Sequence, residues 1–236
     1  VKTYQEKDRM RRYVIVLLAL AMICIVSYSV NFMTDNYNVM SAATSIMMAA
    51  QDFLLVSLFI YTTEFARISN KVTKVMTIAA FVIAIIDSVV FIANIFNEIA
   101  VKYSLVKCDG IYVLGYEGEL WFGIHAVMSM IITACIIAVL VIKCIHIPGA
   151  YWGRYIVMAA GLAIIILIKC VFIYKIIDLR FDISIFLYAF IGVMVYWNTF
   201  WYSKKNMLTI THAMIIDHMH VPVILFDYEG VLADFN

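Results

Sequence analysis

The chain has 236 residues, of which 65% are hydrophobic and 14% are charged, and its formal net charge is +1. Soluble domains are about half apolar, so this composition excludes an ordinary soluble domain. A helix needs about 20 apolar residues to cross a bilayer. Six runs meet this requirement and predict an all-α membrane protein, a multi-span helical bundle: 13–33, 39–63, 75–96, 120–142, 155–177 and 183–202.

Basic residues are concentrated in alternate gaps between these runs. Residues 1–12 contain five Lys and Arg, and the gaps on the same side raise the number to twelve of seventeen. The positive-inside rule therefore predicts a multi-pass protein of the cell membrane with residues 1–12 and the C-terminus in the cytoplasm. Because the chain begins with Val1 rather than Met, we expect a further span upstream, which makes these six of seven.

The five cysteines provide no framework for a disulfide or a metal. Four lie in or beside the predicted spans, and only Cys108 falls in an outside loop. Their spacing fits neither a zinc site nor a disulfide pattern. From the sequence we therefore expect no metal and no cofactor.

The longest outside loop, 97–119, contains a turn signal. Residues 104–115 form β-prone runs on both sides of Asp109-Gly110, and a two-residue Asp-Gly between such runs is a strong hairpin signal. We predict a short extracellular β-hairpin that covers a pocket at the outer face of the bundle, although a mere connector is the alternative.

Three ionisable residues fall deep inside the predicted spans: Asp52, Asp87 and Lys169. Such residues are costly in lipid and usually face the bundle interior. The two acids have similar depth and could share Lys169 as a counter-ion. One negative charge would remain, which calls for a proton or a cationic ligand. An interhelical ion pair that only fixes packing is the equal alternative.

Further polar residues recur at helical spacing in the outer half of the spans. If they converge, they line a pocket for a small ligand beneath the hairpin. The alternative is that small and hydroxyl residues hold membrane helices together. The candidate ligand-binding residues are Asn31, Asp52, Asp87, Asn94, Trp121, His125, Lys169, Tyr188 and Tyr196.

The bundle, 13–202, is followed by a segment of different character. Residues 203–220 predict an amphipathic signalling helix in which Met207, Ile210 and Met214 form one row, suited to pairing in a homodimer. Strands are predicted at 223–226 and 231–234 around a turn at 227–230. Residues 221–236, with Asp227-x-x-Gly230-Val231 and Asn236, resemble the opening of a PAS domain.

The run Gly118-Glu-Leu-Trp121-Phe-Gly-Ile-His125 is similar to the Gly-aromatic-His helix start of the N-terminal seven-transmembrane sensor region of histidine kinases. Together with the exit helix and the PAS-like tail, it makes nearly the whole chain resemble that family. The resemblance implies a bacterial receptor domain that is not itself an enzyme. The output it implies is a histidine kinase, or a GGDEF or EAL domain of cyclic di-GMP metabolism.

Two other functional classes are alternatives to a sensor. A small ion-coupled transporter would use Asp52, Asp87 and Lys169 for coupling, but the spans show no repeat and no proline or glycine break. An intramembrane protease would need an HExxH motif or a Ser/His pair, and His125 is the single histidine in a span. A small-molecule signal and the lipid bilayer are therefore the expected partners, with no nucleic acid.

Overall fold

In the computed structural model, the described residues are 2–68, 70–108, 111–147, 152–173, 184–200, 224–226 and 232–235. They form six helices and four strands. In chain order these are α1 (Lys2–Met33), α2 (Tyr37–Phe65), α3 (Lys71–Asn97), β1 (Val101–Cys108), β2 (Ile111–Gly118), α4 (Leu120–Ile145), α5 (Trp152–Ile173), α6 (Ser184–Phe200), β3 (Ile224–Phe226) and β4 (Leu232–Phe235).

The five helices α1 to α5 are long and apolar enough to cross a membrane, and α6 is a shorter apolar helix. The prediction of a multi-span helical membrane bundle is therefore confirmed. The first predicted run is extended at its start, because α1 is helical from Lys2 through the basic flank. The fifth and sixth runs partly fall outside the described residues.

Helix α2 is the centre of the bundle. In its most apolar window 78% of the residues are buried, against 22–33% in the corresponding windows of α1, α3, α4 and α5. It contacts α1, α3 and α4 along its length. The other four long helices keep most of their apolar side chains on the outside, as lipid-facing helices do. Polar side chains on α2 are therefore shielded from lipid on nearly all sides.

Asparagine side chains begin two of the helices. The Asn36 side chain accepts hydrogen bonds from the backbone N–H groups of Asn38 and Val39 at the start of α2. Asn70 forms a reciprocal capping box with Thr73 at the start of α3. These contacts satisfy N–H groups that have no partner within the helix.

The predicted hairpin is present. Strands β1 and β2 pair antiparallel in continuous register from Val101–Gly118 to Cys108–Ile111. Residues 109 and 110, where the turn was predicted, lie outside the described residues. Strand β2 contacts α1, α2 and α4. The hairpin thus lies across one end of the bundle, which we call the hairpin end.

Residues 196–236 form a separate compact unit. Its strands β3 and β4 pair antiparallel with an irregularity between Leu225 and Phe226. They lie within one residue of the predicted strands. The predicted signalling helix 203–220, with Met207, Ile210 and Met214, lies outside the described residues, as does the turn 227–230.

Candidate functional site

Three side chains from three helices meet inside the bundle. His125 of α4 lies with its Nδ1 2.6 Å from Asp87 Oδ2 of α3 and 3.3 Å from Asp52 Oδ1 of α2. All three residues are buried, at 2%, 6% and 7% exposure for His125, Asp87 and Asp52. We call this set the Asp–Asp–His cluster. A carboxylate can only accept, so Nδ1 carries the hydrogen that is donated to Asp87.

The Asp87 carboxylate is also held from its other side. Trp121, one turn before His125 on α4, donates its indole Nε1–H to Asp87 Oδ1 at 2.7 Å. The His125 ring is packed edge-on against Phe91, with 4.9 Å between ring centroids. These contacts fix the orientation of the Asp87 carboxylate and of the imidazole. Their source in the sequence is the i, i+4 spacing of Trp121 and His125 on one helix face.

Lys169 is not the partner of these acids. Its Nζ is buried without a hydrogen-bond partner and lies 5.7 Å from the centroid of the Tyr188 ring. The predicted sharing of Lys169 by Asp52 and Asp87 is therefore wrong, and His125 takes that place. The reason is helix packing, since α2 contacts both α3 and α4, which bring the imidazole between the two acids.

Asn94 does not face this cluster. The fully buried Asn94 Oδ1 accepts the backbone N–H groups of Ala100 at 2.7 Å and Val101 at 3.1 Å, and its Nδ2 donates to the Val101 carbonyl. These three bonds hold the first residues of β1 against the end of α3. A ligand role for Asn94 remains a prediction, but its hydrogen-bonding capacity is largely used by the hairpin.

The other arm of the hairpin is fixed to the start of α4. The backbone N–H of Glu119 donates to the Ala100 carbonyl, and Lys102 Nζ lies 2.5 Å from the Glu119 carboxylate. The Glu119 carboxylate raises the pKa of Lys102 above its usual value. Both arms thus end on helices that contribute to the Asp–Asp–His cluster.

Tyr103 extends from β1 into the bundle. Its side chain is buried at 8% exposure, its hydroxyl interacts with Ser45 and Asn94 without ideal hydrogen-bond geometry, and burial raises its pKa. Tyr103 was not among the residues predicted from the sequence to line a site. The period of two along β1 could have indicated it, because Val101 and Tyr103 are both buried and Lys102 is exposed.

The remaining candidates are Asn31, Tyr188 and Tyr196. Asn31 of α1 donates to Thr44 of α2 at 3.0 Å, and its Oδ1 has no partner. Tyr188 of α6 is buried beneath Lys169. Tyr196, eight residues after Tyr188 on α6, is 50% exposed, so the two predicted candidates on this helix do not both face the interior. The reason is the helical period, which turns a residue at i+8 about 80° away from residue i.

A groove of about 400 Å³ lies between α1 and α2. It contains none of the nine candidate residues, so the pocket predicted beneath the hairpin and this groove are different places. The residues that line the groove are mostly apolar: Val26, Ser27, Val30, Asn38, Val39, Ala42, Ala43 and Ile46.

Several buried polar atoms around the cluster lack hydrogen-bond partners. They include Asp52 Oδ2 and His125 Nε2 within the cluster, and Ser45 Oγ and Ser88 Oγ on the two helices that carry the acids. Buried polar atoms are normally paired, so such atoms call for an explanation. The chemistry of the set, two carboxylates and one imidazole, is that of a site for a proton or a cation.

Comparison with known protein families identifies the family of the chain. A family model described as the N-terminal 7TM region of histidine kinase matches residues 2–207. No curated protein and no solved structure matches the chain. The match begins in the basic flank of α1 and runs past the end of α6. The chain therefore belongs to the family of N-terminal 7TM regions of histidine kinases.

Proposed function

We propose that this chain, a transmembrane sensory input domain by its family, detects a small cationic ligand at the Asp–Asp–His cluster. In this proposal the ligand reaches the cluster from outside the cell or from the bilayer. The signal then passes through the exit helix 203–220 to a cytoplasmic PAS domain and an output domain. That output is a histidine kinase or a GGDEF or EAL enzyme.

The observation that carries the proposal is the buried charge of the cluster. Asp52 and Asp87 both face one nitrogen of His125, at 3.3 and 2.6 Å. Among these three side chains one imidazolium compensates one carboxylate and one negative charge remains in a region of low dielectric. The Lys169 ammonium acts on His125 electrostatically but contacts neither carboxylate. An ionisable set inside a membrane bundle is by default a functional site.

In this proposal, ligand binding is coupled to helix packing because the cluster joins three helices. Asp52 lies on the central helix α2, and Asp87 and His125 lie on α3 and α4 at either end of the hairpin. A ligand shifts a conformational equilibrium only if it binds the two packings with different affinity. A cation that draws the two carboxylates together favours the packing in which α2, α3 and α4 are closest.

A transporter role is less well supported. It would use Lys169 together with the two acids, but Lys169 Nζ lies on the Tyr188 ring and contacts neither carboxylate. Family membership also favours a sensor.

The test is a pair of isosteric substitutions in the full-length receptor. We expect Asp52→Asn and Asp87→Asn each to change output, measured as autophosphorylation or cellular cyclic di-GMP, while membrane insertion remains normal by fractionation. Asp35→Asn is the matched control, since Asp35 is an exposed acid in the turn before α2. Wild-type output in both cluster variants would mean that these charges serve packing alone.

Signal transmission by a paired exit helix has its own test. Single cysteines placed from residue 207 to 216, on a background without native cysteines, are cross-linked in membranes. We expect efficient disulfide formation at Met207, Ile210 and Met214 with helical periodicity, because these residues form the proposed dimer face. A flat profile across the segment would refute pairing through this helix.

A further inference from the structure

The Asp–Asp–His cluster leaves an electrostatic problem that hydrogen bonds alone do not solve. His125 Nδ1 has a single hydrogen, which it donates to Asp87 Oδ2 at 2.6 Å. Asp52 Oδ1 faces the same nitrogen at 3.3 Å, and Asp52 Oδ2 has no partner. One hydrogen between two carboxylates satisfies only one of them.

We propose that the cluster is a binding site for one divalent transition-metal ion of the zinc type, held by Asp52, Asp87 and His125. This inference rests on the proposed function and names the class of cation that would be sensed. An ion bound to Nδ1, with the imidazole hydrogen carried on Nε2 instead, contacts the nitrogen and both carboxylates together. It also offsets two negative charges rather than one.

The geometry is close to what such an ion requires. One ligand atom from each residue lies within 4.8 Å of the other two. Zinc bonds of about 2.0–2.2 Å place tetrahedral ligands roughly 3.3–3.6 Å apart. The present separations of 2.6 and 3.3 Å from Nδ1 differ from that spacing by about 1 Å or less. Imidazole and carboxylate are suitable ligands for a first-row metal.

The surroundings support one of the ligands in the way that metal sites do. Trp121 Nε1 donates to Asp87 Oδ1, the carboxylate oxygen that does not face His125. Such outer hydrogen bonds fix ligating carboxylates, and their loss typically weakens metal binding by 10–100-fold. Trp121 is thus a positioning residue in this site.

The size of the site also favours a single atom. One ligand atom from each of the three side chains lies within 4.8 Å of the others, a spacing that a single ion spans. A proton is the remaining small occupant, but one proton leaves one carboxylate uncompensated. His125 Nε2 has no hydrogen-bond partner whether a metal ion or a proton occupies the site, so it does not distinguish the two.

Three ligands on three helices explain why no metal motif is visible in the sequence. Asp52 and Asp87 are 35 positions apart and His125 follows 38 later, whereas metal motifs that are readable in a sequence place ligands within a few residues of each other. The expectation of no metal came from cysteine spacing, which does not report on such a site.

The test uses the chain without a histidine tag, purified in lipid nanodiscs, stripped with chelator and dialysed against Zn²⁺. We expect about one zinc per chain by elemental analysis, and loss of it in His125→Gln and Asp87→Asn. His146→Gln is the matched control, because His146 is exposed and hydrogen-bonds only its own helix through Ile142. Co²⁺ in place of zinc gives a visible spectrum that reports its coordination.

A second variant keeps the test decisive if the ligand variants misfold. Trp121→Phe retains all three ligands, and we expect it to weaken zinc binding by 10–100-fold with the helical circular dichroism unchanged. The metal site would be overturned if the wild-type chain retains no zinc. It would also be overturned if well-folded His125→Gln binds as much zinc as the wild type. If output still changes in Asp87→Asn while zinc does not bind, the proposed function stands and only the metal fails.

Discussion

Two glycines near the hairpin end differ in how tightly their surroundings are packed. Gly118, the last residue of β2, has no room for a side chain, since a Cβ there would lie 2.5 Å from Cδ1 of the Phe122 ring. Gly123, one residue after Phe122, has no neighbour within 4 Å of an added Cβ. Two glycines of the same short motif therefore have different reasons to be there.

We expect Gly118→Ala to lower the free energy of unfolding by about 1–3 kcal/mol, because Phe122 must move out of its packed position. Gly123→Ala is the matched control and should be neutral or raise stability by up to about 1 kcal/mol, as alanine favours helix. Thermal unfolding in detergent compares the two variants directly. An equal effect of the two changes would contradict the packing explanation.

The Asp–Asp–His cluster also shows which site features could not be predicted from the sequence. Asp52 and Asp87 could be identified because an acid within an apolar run is conspicuous whatever its neighbours are. Their partner could not, since the choice between Lys169 and His125 depends on how α4 and α5 rotate against α2. Trp121 was a candidate, but its bond to Asp87 follows from that same packing.

At the level of elements, the hairpin is an extension of two helices rather than a separate lid. Asn94 fixes its first residues to α3, and Glu119 joins its base to α4. Tyr37 at the start of α2 donates to the Glu98 carboxylate, so α2 is connected to the same region. All three helices that carry the cluster are therefore linked at the hairpin end.

Asn94→Ala should loosen this junction, because it removes three hydrogen bonds of about 1 kcal/mol each. We expect the backbone amides of Ala100 and Val101 to exchange about tenfold faster or more, measured by hydrogen–deuterium exchange in nanodiscs. Asn31→Ala is the control, since it removes one buried hydrogen bond to Thr44 between α1 and α2. Unchanged exchange at Ala100 and Val101 would show that the hairpin is held by other contacts.

Element boundaries were well predicted where local signals are strong. The Asp-Gly signal predicted the hairpin correctly, since β1 and β2 pair continuously from Val101–Gly118 to Cys108–Ile111. The start of α1 was not anticipated, because the polar residues after Lys2 carry no apolar signal although they continue the same helix. The centrality of α2 was not evident either, as its apolar run resembles the others.

At the scale of the whole molecule, the basic residues predict which end of the bundle faces the cytoplasm. Arg9 of α1 and Glu64 of α2 form an ion pair at the end opposite the hairpin. Arg154 lies over the rings of Phe65 and Tyr155 at the same end, 5.0 and 4.8 Å from their centroids. The positive-inside rule predicts that this end faces the cytoplasm and that the hairpin lies outside.

Cys108, the last residue of β1, tests that orientation. We expect a membrane-impermeant maleimide to label the chain in intact cells, and Cys108→Ser to abolish the labelling. Among the described thiols, Cys24 is buried and Cys135, Cys144 and Cys170 lie within spans, where the lipid limits access. Labelling only after permeabilisation would reverse the topology and place the hairpin in the cytoplasm.

The short connection between the hairpin and the cluster has a practical consequence. His125 lies only six positions after Glu119, at the hairpin base, which is less than two turns of helix. A nanobody that binds the hairpin would therefore shift the buried imidazole through α4 without entering the membrane. Such a reagent could hold the receptor in one signalling state, whatever its natural stimulus is.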